Sequence, residues 1–168
     1  GNTILIYRLP GVFGKWCKPN YNSVVATFCY NIVNNLPIII HDSKKILKLV
    51  YIDDVIDSFL KSLKVDDGRV HFIQSKKVYE KSLKYISEKL YFFNNSKLSL
   101  EIENVGIGFN RALYSTYISY FRPKNFSYQL KSYQDDRGVF VEMLKTKKSG
   151  QISYFTALPG VTRGGHYH

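Results

Sequence analysis

Two histidines near the end of the chain have the spacing of metal ligands. His166 and His168 are separated by one residue. On a β-strand, side chains alternate between faces, so both imidazoles would point to the same side, ~6–7 Å apart. Neutral imidazole binds zinc and similar divalent metals, but a catalytic metal needs at least one more protein ligand. The pair therefore predicts part of a metal site, with two solvated surface histidines as the alternative.

A second group of polar residues precedes a predicted helix. Asn20, Asn22 and Ser23 stand before residues 24–34, whose apolar side chains have helical spacing. Free N–H groups at a helix start, together with the helix dipole, favour anions such as a diphosphate. The same residue types also cap helices that bind nothing. Both an anion-binding helix start and a plain cap remain open.

Two adjacent carboxylates, Asp53 and Asp54, are a candidate acid–base pair. They stand at the start of another predicted helix. Aspartate is a common cap, and acidic residues in a first turn interact favourably with the helix dipole. We interpret Asp53 as the cap and Asp54 as part of the first turn.

The elements that would position these residues alternate between strand and helix. Apolar runs bounded by proline and glycine predict strands, and apolar residues every three to four positions predict helices. The first strand is continuously apolar, which predicts burial on both faces in a parallel sheet. The predicted strands are 3–9, 37–41, 46–52 and 69–73, and the predicted helices are 24–34, one starting at Asp53, one starting at Ser75, and 109–120.

The pattern changes near residue 122. Beyond it, turn residues separate short β-rich segments at 126–133, 139–145, 151–158 and 161–168. Four strands are too few to close a barrel of about eight. We predict an α/β domain over 1–122, a linker over 123–130 and the start of a β-domain over 131–168. Since the chain begins at Gly1 and ends inside a Gly- and His-rich run, we expect an internal piece of a longer protein.

The composition disfavours several classes of protein. The 168 residues carry a net charge of +11, from 24 basic and 13 acidic side chains. The basic residues are 18 lysines and six arginines, scattered with no run longer than two, which is not typical of a nucleic-acid reader. Two cysteines make no disulfide framework, and no apolar run reaches the ~20 residues of a membrane helix. We predict a cytoplasmic protein with neither nucleic acid nor membrane as partner.

The C-terminal histidines are part of a longer pattern that resembles the cupin family. Gly160, His166 and His168 match the first cupin motif, G(x)5HxH. Upstream, residues 135–142 match the D-x-R-G-x-F-x-E signature of nucleotide-sugar 3,5-epimerases, which are cupins. The resemblance implies zinc or a similar divalent metal on His166 and His168, and a sugar site at Arg163 and His166. It also implies substrate contacts from Arg137, Phe140 and Glu142, although a hairpin turn with a solvated Arg137 is the alternative.

The front of the chain resembles the extended short-chain dehydrogenases. Residues 8–14 are similar to their R-x-x-N-V-[YF]-G segment, and residues 49–55 to their later strand-to-helix junction. Gly11 departs from the family, which has a substrate-contacting Asn there. The sequence has no GxGxxG loop, and the catalytic Tyr-x-x-x-Lys pair of the family is absent at its place, since it would precede Gly1. The resemblance implies the C-terminal part of a Rossmann-type domain, followed by the first strands of a cupin barrel. The implied cofactor contacts are Leu9, Pro10 and Val12, and the implied substrate contacts are Asn20, Asn22 and Ser23.

This order of domains resembles a family of bifunctional enzymes of capsular polysaccharide biosynthesis. The resemblance implies that the cupin epimerises a UDP-4-keto-6-deoxy-N-acetylhexosamine at C3. The dehydrogenase domain of the parent enzyme, a homodimer, would then reduce the C4 ketone with NADPH, on the way to UDP-N-acetyl-L-fucosamine. The chain alone is expected to be inactive. The alternatives are an NAD-dependent UDP-sugar epimerase or dehydratase with an unrelated β tail, and a non-catalytic basic binding module.

Overall fold

The chain forms two compact units in a computed structural model that describes residues 1–162. The first unit contains residues 1–94 and 104–121, and the second contains residues 95–103 and those from 122 onward. The sequence pattern also changes near residue 122, but it did not indicate that 95–103 goes with the second unit. Within the described residues, no helix combines the length and apolarity needed to cross a membrane.

Three of the four predicted helices of the α/β region are confirmed near their expected positions, at Val24–Val33, Ile52–Ser62 and Gly108–Ile118. Helix α1 is capped by Ser23, whose Oγ accepts the Ala26 N–H at 3.3 Å. Helix α3 starts later than predicted, because residues after Ser75 form a strand and Ser82 Oγ instead accepts the Tyr85 N–H at 3.1 Å. The helices are α1 (Val24–Val33), α2 (Ile52–Ser62), α3 (Leu83–Ser99) and α4 (Gly108–Ile118).

Five short strands form two small sheets in the first unit. They are β1 (Ile4–Tyr7), β2 (Gly11–Phe13), β3 (Ile46–Tyr51), β4 (Val70–Ile73) and β5 (Tyr79–Ser82). Strand β1 pairs with β4 in parallel, while β3 pairs in parallel with β2 and antiparallel with β5.

The first predicted strand is confirmed in a parallel pair but not in its burial, and one other strand prediction for this unit is wrong. Among the described residues β1 pairs with β4 alone, and Ile4 and Ile6 are 51% and 37% exposed rather than buried on both faces. Residues 37–41 are β-rich in composition but form no strand. Strand propensity depends on cross-strand partners, and 37–41 has none here.

The core of the first unit joins α1, α3 and α4 to the ends of β2 and β3. Phe13 is 1% exposed, and its ring lies 5.6 Å from Tyr51 and 5.7 Å from Phe109. After Phe13 the chain passes close to α2, since a Cβ on Gly14 would lie 2.2 Å from Ile52 Cγ2. Glycine is therefore needed at this position, and it fixes where the following loop begins.

The second unit has a three-stranded antiparallel sheet in the order β6-β7-β8. The strands are β6 (Ser132–Asp135), β7 (Gly138–Thr146) and β8 (Gly150–Phe155), preceded by a short 3-10 helix at Pro123–Asn125. The strand predicted at 126–133 begins later than expected. Most of the strand predicted at 161–168 lies outside the described residues, and Val161 and Thr162 are not in a strand.

Candidate functional site

Helix α1 begins with its free amide groups facing a polar loop. Ser23 has extended backbone angles and satisfies the Ala26 N–H, and the first turn contains no acidic residue. The remaining N–H groups at this end lack helical partners, and the helix dipole makes the end electropositive. The helix start is thus suited to a negatively charged ligand group. The structure confirms that Ser23 caps the helix, and ligand contacts from Asn20, Asn22 and Ser23 stay a prediction.

A cleft of about 490 Å³ opens at this helix start. One side is polar and contains the three predicted residues, while the other is formed largely by apolar side chains of α1 and of the segment after it. Residues 37–39, which we predicted to be a strand, form part of this apolar wall. The lining residues are Asn20, Tyr21, Asn22, Ser23, Val24, Thr27, Phe28, Asn31, Pro37, Ile38 and Ile39.

Asn31 joins the two sides of the cleft and was not identified from the sequence. Its Nδ2 donates to the Pro37 carbonyl at 2.9 Å, which holds the apolar wall against α1. Its Oδ1 is buried and accepts no hydrogen bond from any described residue. The only sequence signal for this role was its position two turns after Ser23 on the same helix.

The Asp53 side chain has a different role from the one predicted. The residue before α2 is Tyr51, and no side chain caps this helix. Asp53 instead accepts a hydrogen bond from Lys15 Nζ at 2.9 Å, and this bond raises the pKa of Lys15. The prediction that Asp53 caps the helix is therefore wrong. The carboxylate holds the loop that leads to the cleft.

The predicted cofactor contacts lie away from this cleft. Leu9 and Pro10 are in the connection between β1 and β2, and both are half-buried. Val12 is in β2 and is 37% exposed. None of the three is among the residues that line the cleft at α1. Their contact with a nicotinamide cofactor stays a prediction.

The signature at residues 135–142 forms a tight hairpin between β6 and β7. Asp135 pairs with Gly138 across the turn, and Arg137 in the turn donates from Nη2 to Asp135 Oδ2 at 2.7 Å. This bond raises the pKa of Arg137, whose side chain is 58% exposed. Phe140 and Glu142 are both half-buried on β7, two residues apart and on the same face. The structure thus brings these two together and places Arg137 at the turn.

The predicted sugar and metal residues fall outside the described part of the chain. Arg163, His166 and His168 lie beyond Thr162. Within residues 1–162, no three His, Cys, Asp or Glu side chains are grouped in a way that could hold a metal ion. The sugar site and the zinc site therefore stay predictions.

The chain shares part of its fold with a solved α/β protein. A UDP-glucose 4-epimerase from Thermotoga maritima, 19% identical, superposes on 74% of this chain with a TM-score of 0.51, and this chain covers 47% of it. At that identity the likeness concerns the fold alone. It agrees with the predicted α/β class.

The second comparison is far more specific. A UDP-2-acetamido-2,6-beta-L-arabino-hexul-4-ose reductase from Pseudomonas aeruginosa is 52% identical over all 168 residues. The capsular polysaccharide assembling protein CapF from Staphylococcus aureus is 41% identical in one crystal form, with a TM-score of 0.90 over the whole chain. Residues 133–168 match the family described as polysaccharide biosynthesis C-terminal domain. The chain is a homologue of the Pseudomonas reductase and of the Staphylococcus protein, and the predicted resemblance is confirmed.

The extent of these matches bears on one alternative. The chain spans 45% of the Pseudomonas reductase and 49% of the Staphylococcus protein. Both matches run through the β-rich second unit as well as the α/β unit. A β tail unrelated to the first unit, which the sequence left open, is not supported.

Proposed function

We propose that the chain is the sugar-nucleotide-binding part of a UDP-sugar reductase and epimerase of capsular polysaccharide biosynthesis. The observation that carries the proposal is the cleft at the start of α1, in a chain 52% identical to a UDP-sugar reductase. The parent protein would be a homodimer in the cytoplasm, where it would convert a UDP-4-keto-6-deoxy-N-acetylhexosamine.

The two sides of the cleft suit the two ends of a nucleoside diphosphate. The amide groups at the start of α1, with Asn20, Asn22 and Ser23, offer donors to the diphosphate oxygens. The apolar wall around Pro37 and Ile39 offers a surface for the flat pyrimidine ring. The first unit would thereby hold the UDP group and leave the sugar to the catalytic groups of the parent enzyme.

The chemistry follows from the ketone at C4 of the sugar. The neighbouring C3–H is acidic, so a base can remove its proton, and returning a proton to the opposite face inverts C3. Polar groups that stabilise the enolate oxygen lower this barrier. Arg163 and His166 are the residues that we propose for this step. In the parent enzyme, hydride from NADPH to C4 and a proton from a tyrosine to the ketone oxygen would convert the ketone to an alcohol.

The metal part of the proposal rests on the two C-terminal histidines. His166 and His168 would supply two imidazole ligands to zinc, with further ligands from the rest of the parent protein. Metal analysis of the parent protein should find about one zinc per chain, and the H166A and H168A variants should each lose most of it. Full zinc retention by both variants would exclude these histidines as ligands.

Ligand binding to the purified chain tests the cleft. We expect calorimetry to show binding of UDP and UDP-N-acetylglucosamine, with weaker binding of uridine, since uridine lacks the diphosphate. Ser23→Ala removes a hydroxyl at the helix start, so UDP affinity should fall about 3- to 10-fold.

Ser82→Ala is the matched control, because Ser82 caps α3 and does not line the cleft. Each variant should lose roughly 1 kcal/mol of stability, but S82A should keep wild-type affinity. Wild-type protein that binds none of the three ligands would refute the proposed site. The chain alone is also expected not to oxidise NADPH in the presence of the 4-keto sugar, and steady oxidation would contradict that.

A further inference from the structure

The loop that carries the polar side of the cleft is held at several points along its length. We define the entry loop as residues 15–22, between β2 and α1. Two of its residues, Trp16 and Asn20, have positive φ angles of 60° and 55°. Asparagine tolerates this region, but a bulky tryptophan adopts it only where the surroundings enforce it. The contacts that enforce it should therefore matter to the cleft.

At its C-terminal end the entry loop is tied to α1 itself. The Asn20 N–H donates to Thr27 Oγ1 at 2.9 Å, and the Thr27 hydroxyl donates to the Ser23 carbonyl at 3.0 Å. These bonds place Asn20 next to the first turn of the helix. They do not explain the conformation at Trp16, four residues earlier.

At its N-terminal end the entry loop is tied to the end of α4. The Trp16 N–H donates to Ser119 Oγ at 3.2 Å, and the Ser119 hydroxyl in turn donates to the Thr116 carbonyl at 2.7 Å. The Tyr120 hydroxyl donates to the Cys17 carbonyl. The backbones of two consecutive loop residues are thus bound by two consecutive side chains, 103 residues further along the chain.

We propose that Ser119 and Tyr120 are positioning residues that hold the entry loop in its ligand-binding conformation. Neither residue lines the cleft, so they act through the backbone of Trp16 and Cys17. The inference rests on the proposed function, because it takes the cleft as the UDP-sugar site. It adds that affinity for the UDP group depends on the end of α4.

Tyr117, three residues before Tyr120 and within α4, provides a matched control. Tyr117 is 1% exposed, and its hydroxyl donates to Asn94 Oδ1 at 3.0 Å, within the core and away from the entry loop. Tyr117→Phe and Tyr120→Phe each remove one hydroxyl donor, the first within α4 and the second just after its end. If affinity followed overall stability, Y117F would reduce it at least as much as Y120F, because its bond is the more buried one.

The experiment measures the UDP dissociation constant by calorimetry for wild type, Y120F, S119A and Y117F. We expect Y120F and S119A to weaken UDP binding about 3- to 10-fold, the range expected for one neutral hydrogen bond, and Y117F to match wild type. Amide hydrogen exchange at residues 16–22 should be faster in Y120F than in Y117F. S119A decides the matter if Y120F fails to fold.

Three outcomes would overturn the inference. Wild-type affinity in both Y120F and S119A would show that the contacts with α4 do not control binding. An equal loss in Y120F and Y117F would show a general effect of stability. No UDP binding by the wild-type chain would refute the proposed function itself, which separates that failure from a failure of the loop contacts alone.

Discussion

At the scale of single residues, one contact determines how the loop leaves β2. Lys15 and Asp53 are 38 positions apart, yet Lys15 Nζ lies 2.9 Å from Asp53 Oδ2. The two side chains are 31% and 46% exposed, so water and salt weaken their attraction. The sequence predicted Asp53 to be the cap at the start of a helix. The spacing of neighbouring residues contains no information about a contact with a residue 38 positions away.

Replacing Asp53 by Asn should reveal the pH dependence of this contact. The hydrogen bond raises the pKa of Lys15 in the folded chain above the ordinary 10.5. The contact therefore stabilises the fold fully below that value, and its contribution disappears as pH rises through the raised pKa. At pH 7, D53N should cost less than about 1 kcal/mol of unfolding free energy, because the pair is partly exposed.

Urea denaturation of wild type and D53N at pH 7, 9 and 11 tests this expectation. The difference in unfolding free energy between the two proteins should decrease between pH 9 and 11. The control is Glu88→Gln, since Glu88 lies 3.8 Å from Lys84 with both side chains more than 60% exposed, and it should change little at any pH. If the difference in unfolding free energy between wild type and D53N stayed constant from pH 9 to 11, the loss of the Lys15–Asp53 contact on deprotonation of Lys15 would be contradicted.

At the scale of elements, the hairpin between β6 and β7 depends on a glycine within the epimerase-like signature. Gly138 has a φ of 134°, and a Cβ there would lie 2.4 Å from the Thr156 carbonyl oxygen. Glycine is needed at this position because other residues rarely adopt this φ angle and because a side chain would collide with the Thr156 carbonyl. The sequence motif identified this glycine, but only the pairing of the strands shows the contact that excludes a side chain.

Substituting this glycine should disrupt the sheet of the second unit. We expect Gly138→Ala to cost about 3 kcal/mol or more, since it combines backbone strain with a clash against rigid backbone. Gly150→Ala is the matched control: Gly150 also has a positive φ, 87°, but open space around its Cβ position. Gly150→Ala should lower the free energy of unfolding by only about 1 kcal/mol.

Amide hydrogen exchange of β7 and β8 in the two variants provides the measurement. G138A should lose protection along both strands, and G150A should lose it mainly next to the turn. Equal protection in the two variants would mean that the clash with Thr156 is relieved at no cost.

At the scale of the whole molecule, the charge of +11 remains the feature that most invites a nucleic-acid partner. Many of the lysines lie next to carboxylates, for example Lys48 with Glu80 at 3.3 Å and Lys77 with Asp54 at 2.8 Å. Such pairs lower the number of cations available for phosphate contacts. The homology to a UDP-sugar reductase supports the proposal of a different anionic ligand, a UDP-sugar.

Binding of the chain to a random-sequence oligonucleotide tests the remaining alternative. We expect weak binding at physiological salt and a shallow dependence of the logarithm of the affinity on the logarithm of salt concentration. Each neutralised phosphate adds roughly 0.7 to 0.9 to that slope, so a true nucleic-acid surface would give a steep one. A slope steeper than about −4 with micromolar affinity would favour the basic binding module over the proposed enzyme.

The sequence alone determined what depends on local order. The spacing of apolar residues predicted α1 and α4, Ser23 was recognised as a cap, and the motifs at 8–14, 49–55 and 135–142 led to the correct family of relatives. Helix periodicity, capping and short motifs each involve residues only a few positions apart, so they can be read directly along the chain.

Tertiary structure decided the contacts between distant segments. Residues 37–39 line the cleft instead of forming a strand. The Asp53 carboxylate accepts a hydrogen bond from Lys15, and Ser119 and Tyr120 bind the backbone of the entry loop. These pairings join segments far apart in the sequence, and they depend on how the core of the first unit packs rather than on local order. Residue spacing can nominate the groups that bind a ligand, but only the fold shows which distant side chains hold them in place.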